Sequence, residues 1–282
     1  MRATTALVAL HVAVALFGFA ALFGKWIALG PVDIVFGRTI VAALALGIFV
    51  LYGHAHSARP GFALFGNGAL LALHWVAFFA AVQIASVAIA LLGFASFPVF
   101  VLVLEQASHR RRATFDEWIA VFLAVSGVAL LVPKLEWESP DVRGLAWGIA
   151  AGFTFALLAL RNRALVAEAG ATPLALWQNA FAALWLVPVI LLNGDATMPT
   201  ARDIVLIALL GIFCTALAHT LFIASMVRMT AYTASVVSIL EPVYGIAWAA
   251  LLLGERPGPR TLAGGALIVG AAALASRRTG MR

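Results

Sequence analysis

Two ionisable side chains lie inside long apolar stretches of the sequence, where charge is rare. Glu241 is followed directly by Pro242, and Arg38 lies near the start of another apolar stretch. A charge at the centre of a bilayer costs about 2.5–3.5 kcal/mol, and proline leaves nearby backbone carbonyls without a donor. Glu241 could therefore bind a substrate ammonium, carry a proton, or pair with a neighbouring helix as a structural carboxylate. Arg38 could bind a substrate carboxylate, snorkel to the membrane surface, or hydrogen-bond to another helix.

Two histidines lie near the middle of two other apolar stretches, His74 and His219. A neutral imidazole there could hydrogen-bond a substrate or titrate during transport. Alternatively, each ring bonds a backbone carbonyl across a helix pair. Phe78 follows His74 by four residues and Phe222 follows His219 by three, so each shares a helix face with its histidine. These aromatic faces would suit an amphipathic or aromatic solute, or they could simply pack the core.

The remaining candidates for substrate binding are Trp177, Gln178 and Ser238. Trp177 and Gln178 form a polar and aromatic cluster with Asn179, which could line a cavity or pack between helices. Ser238 precedes Glu241 by three residues and extends the same helical face. The sequence lacks a Walker phosphate loop, a Gly-x-Ser-x-Gly nucleophile and a His-Glu-x-x-His zinc site. We therefore expect no catalytic residue, no cofactor, no metal and no direct use of ATP.

The elements that must position these side chains are transmembrane helices. Of 282 residues, 64% are hydrophobic and 11% charged, whereas soluble domains have roughly 45–50% apolar and about 25% charged residues. This composition excludes a cytosolic enzyme, a secreted disulfide scaffold and a disordered chain. A helix of about 20 residues crosses a bilayer, and ten apolar stretches of suitable length run near 5–24, 33–52, 63–84, 87–105, 116–133, 144–160, 172–192, 203–226, 231–252 and 260–276.

The distribution of positive charge predicts the orientation in the membrane. If the N-terminus is cytoplasmic, eleven of the 18 Lys and Arg residues face the cytoplasm, six face outside and Arg38 lies within a span. The positive-inside rule and an even number of spans then place both termini in the cytoplasm. We expect a multi-pass protein of the bacterial inner membrane, whose partners are the lipid bilayer and a small-molecule substrate. The net charge of +6 needs no nucleic acid to explain it.

The two halves of the sequence resemble each other. His74 precedes Pro98 by 24 residues, and His219 precedes Pro242 by 23. Upstream, the run AVALFGFAALFGK resembles IAAGFTFALLALR, which would make Phe17 and Phe19 equivalent to Phe153 and Phe155.

Each half holds five predicted spans, an odd number, so the second half crosses the membrane in the opposite sense. We therefore expect an all-α integral membrane protein whose ten transmembrane helices form two inverted five-helix repeats, residues 1–138 and 139–282. Many secondary transporters have this architecture and bind their substrate near the midplane. A glycine ladder at Gly144, Gly148 and Gly152 predicts close helix packing.

Several short motifs carry a resemblance to one family of carriers. They are FGFAALFGK at 17–25, Pro31 followed by Arg38, LHWVAFF at 73–79, FASFPVF at 94–100, and ILEPVYGIAWAALLLGE at 239–255. With these motifs the chain resembles the EamA family of the drug/metabolite transporter superfamily. The resemblance implies a ten-helix carrier that exports amino acids or related small metabolites, with the aromatic amino-acid exporters as one branch. The LLLGE of the second half has LEQASHRRR as its counterpart, so we expect asymmetric substrate contacts.

We interpret the sequence as a secondary transporter that exports amino acids, aromatic or other apolar ones, or related small metabolites by alternating access. The alternatives are a nucleotide-sugar or drug carrier of the same superfamily and, less favoured, a membrane-embedded enzyme. A nucleotide-sugar carrier would need cations for the phosphates, and the predicted spans contain no lysine for this purpose.

Overall fold

The computed structural model describes residues 3–52, 61–109, 114–131, 136–192, 198–231, 234 and 237–276. All regular elements in these ranges are helices, which confirms the predicted all-α fold. They are α1 (Ala3–Trp26), α2 (Pro31–Leu51), α3 (Phe62–Ile84), α4 (Val87–Phe94), α5 (Phe97–His109), α6 (Phe115–Leu131), α7 (Pro140–Ala169), α8 (Ala171–Leu192), α9 (Ala201–Leu209), a π-helical segment (Leu210–Leu217), α10 (Ala218–Ser225), α11 (Leu240–Leu252) and α12 (Pro259–Ser276).

Seven helical stretches within the described ranges are long and apolar enough to span a membrane. They are Thr4–Trp26, Pro31–Leu51, Phe62–Ile84, Val87–Ala107, Pro140–Ala169, Ala171–Leu192 and Ala201–Ser225. The predicted fifth, ninth and tenth spans correspond to α6, α11 and α12. The apolar helix within α6 is only Trp118–Gly127, and the one within α11 is only Leu240–Leu252. Seven of the ten predicted spans are therefore candidate spans of full length within the described residues, as expected of a multi-pass membrane protein.

Much of the predicted cytoplasmic charge falls outside the described residues. Eight of the eleven positions lie there, namely Arg2, Arg59, Arg110, Arg111, Arg112, Arg277, Arg278 and Arg282.

The predicted fourth and ninth spans are broken helices rather than continuous ones. Proline has no N–H, so the carbonyl four residues earlier loses its helical donor. That carbonyl belongs to Phe94 for Pro98, and α4 ends at this residue. For Pro242 it belongs to Ser238, which lies in the turn just before α11. Glu241 therefore occupies the first turn of a new helix and not the middle of a continuous span.

The span from Ala201 to Ser225 contains the π-helical segment, eight residues long. The Thr215 hydroxyl donates to the Leu210 carbonyl, five residues earlier, at 2.9 Å. Such π-helical turns are rare, and they occur often at functional sites.

The two halves of the chain interleave. In the core α1 packs on α10 and α11, whereas α3 packs on α7 and α8 and α4 packs on α7. Helix α2 contacts α8 and the π-helical segment, and α6 packs on α12 at the periphery. The centre of the molecule is therefore built from helices of both halves.

The glycine ladder on α7 lies against the first broken helix, in the close helix packing that the sequence predicts. A Cβ added at Gly148 would lie 2.8 Å from the Ala90 carbonyl oxygen and 3.1 Å from the Gly93 Cα. At Gly144 and Gly152 it would lie within 2.3 Å of Ala85 Cβ and 2.8 Å of Ser96 Oγ, respectively. These glycines let the α7 backbone approach α4 more closely than any side chain would allow.

The substitution Gly148→Ala is expected to destabilise the protein by about 1–3 kcal/mol, because the added methyl group forces two packed backbones apart. Thermal unfolding of the purified protein in detergent measures this. The matched control is Gly270→Ala on α12, where an added Cβ meets nothing within 4 Å. This variant should unfold at or slightly above the wild-type temperature, since alanine favours a helix. Equal unfolding temperatures for the two variants would contradict the close packing of α7 on α4.

Candidate functional site

A small cavity lies between helices of both halves at the centre of the molecule. Its volume is about 20 Å³, which is room for about one water molecule. Its wall combines one cationic and one acidic side chain, two histidines and several aromatic rings: Phe17, Ala20, Arg38, His74, Trp75, Phe78, Phe94, Phe155, His219 and Glu241. A metabolite could enter only if the surrounding helices moved apart.

Arg38 projects from α2 into the protein interior and is only 1% exposed. Its Nε donates to Thr215 Oγ1 at 2.8 Å, and its Nη2 donates to the Cys214 carbonyl at 3.3 Å. The guanidinium carbon lies 4.0 Å from the ring centroid of Trp75 and 5.2 Å from that of Phe79, in cation–π geometry. Of the three roles open from the sequence, snorkelling to the membrane surface is wrong, because the side chain hydrogen-bonds to another helix and lines the cavity.

The Thr215 hydroxyl orients this arginine because it donates one hydrogen bond and accepts another. Its proton goes to the Leu210 carbonyl at 2.9 Å, which leaves the oxygen lone pairs for Arg38. The π-helical segment thus fixes the hydroxyl orientation that a buried guanidinium needs.

Glu241 lines the same cavity and is 3% exposed. Its Oε2 has no hydrogen-bond partner among the described residues. Burial of an unpartnered carboxyl oxygen is costly, so such an atom calls for an explanation such as a ligand. Glu241 and Arg38 therefore place an acidic and a basic group in the wall of one small space.

Each histidine holds one ring nitrogen against a fixed partner. His74 Nδ1 lies 3.0 Å from the Ala151 carbonyl oxygen, to which it donates. His219 Nε2 lies 2.9 Å from Gln178 Oε1, while its Nδ1 has no partner among the described residues. The two roles considered from the sequence therefore combine in His74, which bonds a backbone carbonyl and also lines the cavity.

Aromatic rings form most of the remaining wall. The His74 ring stacks on Phe155 at 4.6 Å between centroids, and the Trp75 ring meets His219 edge-on at 5.7 Å. Phe222 is fully buried and lies behind this layer, 5.8 Å from Phe17 and 5.2 Å from Phe155. It supports the wall rather than lining it.

The phenylalanine pairing drawn from the sequence differs from the arrangement at the cavity. Phe17 and Phe155 line it together, although the alignment matched Phe17 with Phe153. Phe153 instead contacts Phe100 at 5.3 Å, and Phe19 contacts Trp248 at 5.7 Å. A shift of two positions turns a helical side chain to nearly the opposite face, so only one phenylalanine of each run, Phe17 and Phe155, faces the cavity.

Three further predicted residues lie outside the cavity wall. Ser238 donates to the Ala234 carbonyl at 2.9 Å, and Trp177 packs on Phe181 at 5.8 Å between ring centroids. Gln178 is completely buried behind His219 and contributes to the site only through that histidine.

The sequence did not single out three polar residues that belong to this region, Thr215, Asn67 and Asn162. Asn67 and Asn162 are fully buried and hydrogen-bonded to each other at 3.4 Å. Asn162 lies beyond the predicted end of the sixth span at 160, but α7 continues to Ala169. A buried amide inside a span was the signal that could have identified Asn67.

Metal binding has no support in the part of the chain that the structure describes. No group of three or more His, Cys, Asp or Glu side chains there is arranged so that it could hold a metal ion.

A family model matches most of the chain. The EamA-like transporter family matches residues 4–132 and again residues 142–277.

The chain is also similar to curated bacterial proteins and to a solved structure. It is 25% identical over 193 residues to "Uncharacterized transporter YwfM" of Bacillus subtilis, covering 68% of this chain and 65% of that protein. It is 23% identical over 263 residues to "Uncharacterized transporter YxxF" of the same organism, covering 90% of this chain and 84% of that protein. A structure described as "Crystal structure of protein" superimposes with a TM-score of 0.75 at 20% identity, over 98% of this chain and 100% of that one, which shows a shared fold.

The substitution Thr215→Val is expected to destabilise the protein by about 1.5–3 kcal/mol, because it leaves Nε of the buried Arg38 guanidinium without its acceptor. Thermal unfolding in detergent measures this. Thr215→Ser keeps the hydroxyl and serves as the matched control, so it should lose far less. If Val and Ser variants unfold at the same temperature, the hydroxyl does not hold Arg38.

Proposed function

The chain belongs to the EamA-like transporter family, and on that premise we propose that this membrane transporter of small metabolites exports amino acids. It is not an enzyme, as the family and the transporter names of its relatives indicate. The substrates that fit best are amino acids with aromatic or other apolar side chains. The observation that carries the proposal is the presence of Arg38 and Glu241 in the wall of one cavity.

An amino acid carries a carboxylate and an ammonium group next to each other, and the cavity offers a group for each. The Arg38 guanidinium suits the carboxylate because its planar fork matches the two oxygens. The unpartnered Oε2 of Glu241 suits the ammonium. Both protein groups are at least 97% buried, so their attraction for the substrate is weakly screened.

The aromatic wall supports an apolar side chain on the substrate. Phe17, Phe78, Phe94 and Phe155 all line the cavity. Rings of this kind bury apolar surface and favour edge-to-face contacts with another aromatic group. Phenylalanine and leucine are therefore the first substrates to test.

Alternating access by two inverted repeats, residues 1–138 and 139–282, completes the proposal. The family model matches two stretches of similar length. The helix contacts also correspond between the two halves. The contact of α1 with α10 corresponds to the contact of α7 with α3, and the contact of α1 with α11 corresponds to the contact of α7 with α4. One helix in each half is broken just before a proline, which is typical of transporter sites.

The size of the cavity agrees with such a cycle. Because about 20 Å³ cannot hold an amino acid, we take the structure as a closed state of the proposed cycle. Movement of one repeat against the other would open the site to one side at a time. In the proposed arrangement the protein lies in the bacterial inner membrane with both termini in the cytoplasm, as the eleven predicted inside charges favour.

Purified protein in liposomes should transport labelled phenylalanine, and two single substitutions should separate the roles of the charges. In Arg38→Gln, the affinity for phenylalanine as a competitor of transport is expected to fall at least tenfold. The affinity for phenethylamine should stay nearly unchanged, since that amine has no carboxylate. In Glu241→Gln, the affinity for phenylalanine should fall by the same factor, whereas the affinity for phenylpropanoate should be unchanged, because phenylpropanoate has no ammonium group. Loss of a buried charge partner costs about 2–5 kcal/mol, and each tenfold corresponds to about 1.4 kcal/mol.

Ser238→Ala is the matched control, because its hydroxyl bonds only the Ala234 carbonyl among the described residues. Its transport should stay close to wild type. Absence of flux for every amino acid would overturn the proposed substrate. Equal losses for all three competitors in both variants would instead overturn the assignment of one charge to each end of the substrate.

A further inference from the structure

A row of buried polar side chains connects the edge of the molecule to the cavity. It begins at Arg161, which is exposed at the surface of α7, and runs through Asn67, Asn162 and Gln178 to His219. We call these five residues the polar ladder. Asn67, Asn162, Gln178 and His219 are completely buried. Four amide and imidazole side chains without access to water need a reason to be there, because each could have been apolar at lower cost.

We propose that the polar ladder fixes the tautomer of His219, so that this histidine presents its Nδ1 lone pair to an N–H donor of the substrate. The inference rests on the proposed function, because it assigns a role in recognising the ammonium group. It makes Arg161, Asn67, Asn162 and Gln178 positioning residues, which act on the substrate through His219.

The direction of every hydrogen bond in the ladder follows from its first member. Arginine can only donate, so the atom of Asn67 that meets Arg161 Nε must be its oxygen. The Asn67 nitrogen is then the atom that points to Asn162, which must receive it with Oδ1, at 3.4 Å. A reversed Asn162 would place two N–H groups against each other.

The same reasoning continues to the cavity. Because Asn162 Oδ1 is an acceptor, the Gln178 atom that reaches it must be the amide nitrogen. Gln178 therefore turns its oxygen towards His219, and the Nε2 of that histidine must carry a proton to donate across 2.9 Å. An arginine at the edge of the fold thus determines where the proton lies on a ring at its centre.

The consequence is a bare acceptor on a residue that lines the same cavity as Glu241 and Arg38. His219 is 0% exposed, and no carboxylate bonds it within the described part of the chain, so we take the ring as neutral, since an unpaired buried charge is costly. A neutral ring with a proton on Nε2 has a lone pair on Nδ1, the atom that lacks a partner. Both His219 and Glu241 can then accept from one ammonium group, which has three protons to give.

The tautomer can be read directly from the protein, independently of transport. Protein labelled with ¹⁵N-histidine and reconstituted in nanodiscs gives separate nitrogen signals for protonated and bare ring nitrogens, and the signal missing in His219→Asn identifies this residue. We expect wild-type His219 to carry its proton on Nε2 alone. Arg161→Met removes the donor that starts the ladder and should give a mixture of tautomers. It should also raise the KM for phenylalanine about two- to tenfold, as expected for one weakened hydrogen bond.

Two further variants separate a change of tautomer from a general disturbance. Arg161→Lys retains a donor and should restore the wild-type spectrum and KM. Arg163→Met makes the same change of charge two residues along α7, outside the ladder, and should leave both readouts unchanged. A proton on Nδ1 in wild type, an imidazolium, or an unaltered tautomer in Arg161→Met would overturn the inference. Failure of the proposed function would appear separately, as absent amino-acid flux with the tautomer still set by Arg161.

Discussion

A guanidinium enclosed within a membrane protein has no water to solvate it, so the fold itself must supply its partners. Arg38 finds them in the Thr215 hydroxyl, the Cys214 carbonyl and the face of Trp75. These partners belong to two other spans, and the arginine therefore fixes α2 against α3 and the π-helical segment. The cavity exists between the elements that this interaction holds, and its other polar groups lie around the same point.

Both halves of the chain contribute residues to the cavity wall, but they contribute different chemical groups. The first half contributes the cation and His74, whereas the second contributes the carboxyl and His219. The two histidines are also held differently, one by a backbone carbonyl and one by a side-chain amide. A scaffold whose helix contacts correspond between halves thus carries an asymmetric set of groups, which suits the proposed substrate with its two different ends.

Rarity made the central residues visible in the sequence. Arg38, Glu241, His74 and His219 stand out because apolar spans contain few polar groups, and all four line the cavity. Thr215 and Asn162 could not be found in this way, since their partners lie 177 and 95 residues away on other helices. The broken helices were foreseeable in principle from Pro98 and Pro242, but only the structure shows that each break falls one turn earlier. The pairing of phenylalanines between the halves stays a prediction, because apolar residues align almost equally well at several offsets.

The π-helical segment makes the length of its span a functional property. A π turn holds one residue more than an α turn, since its bonds join residues five apart instead of four. Deletion of a single residue between Leu210 and Leu217 would let the helix return to α geometry and would leave the residues after it on nearly the same faces, because the extra residue of a π turn takes up the ~100° that one α-helical residue adds. If these eight residues took α geometry with none removed, everything after them would instead rotate by about 100°, and His219 would turn away from Gln178. Single-residue gaps in this segment among related chains would therefore accompany loss of the π turn and leave the binding site in place.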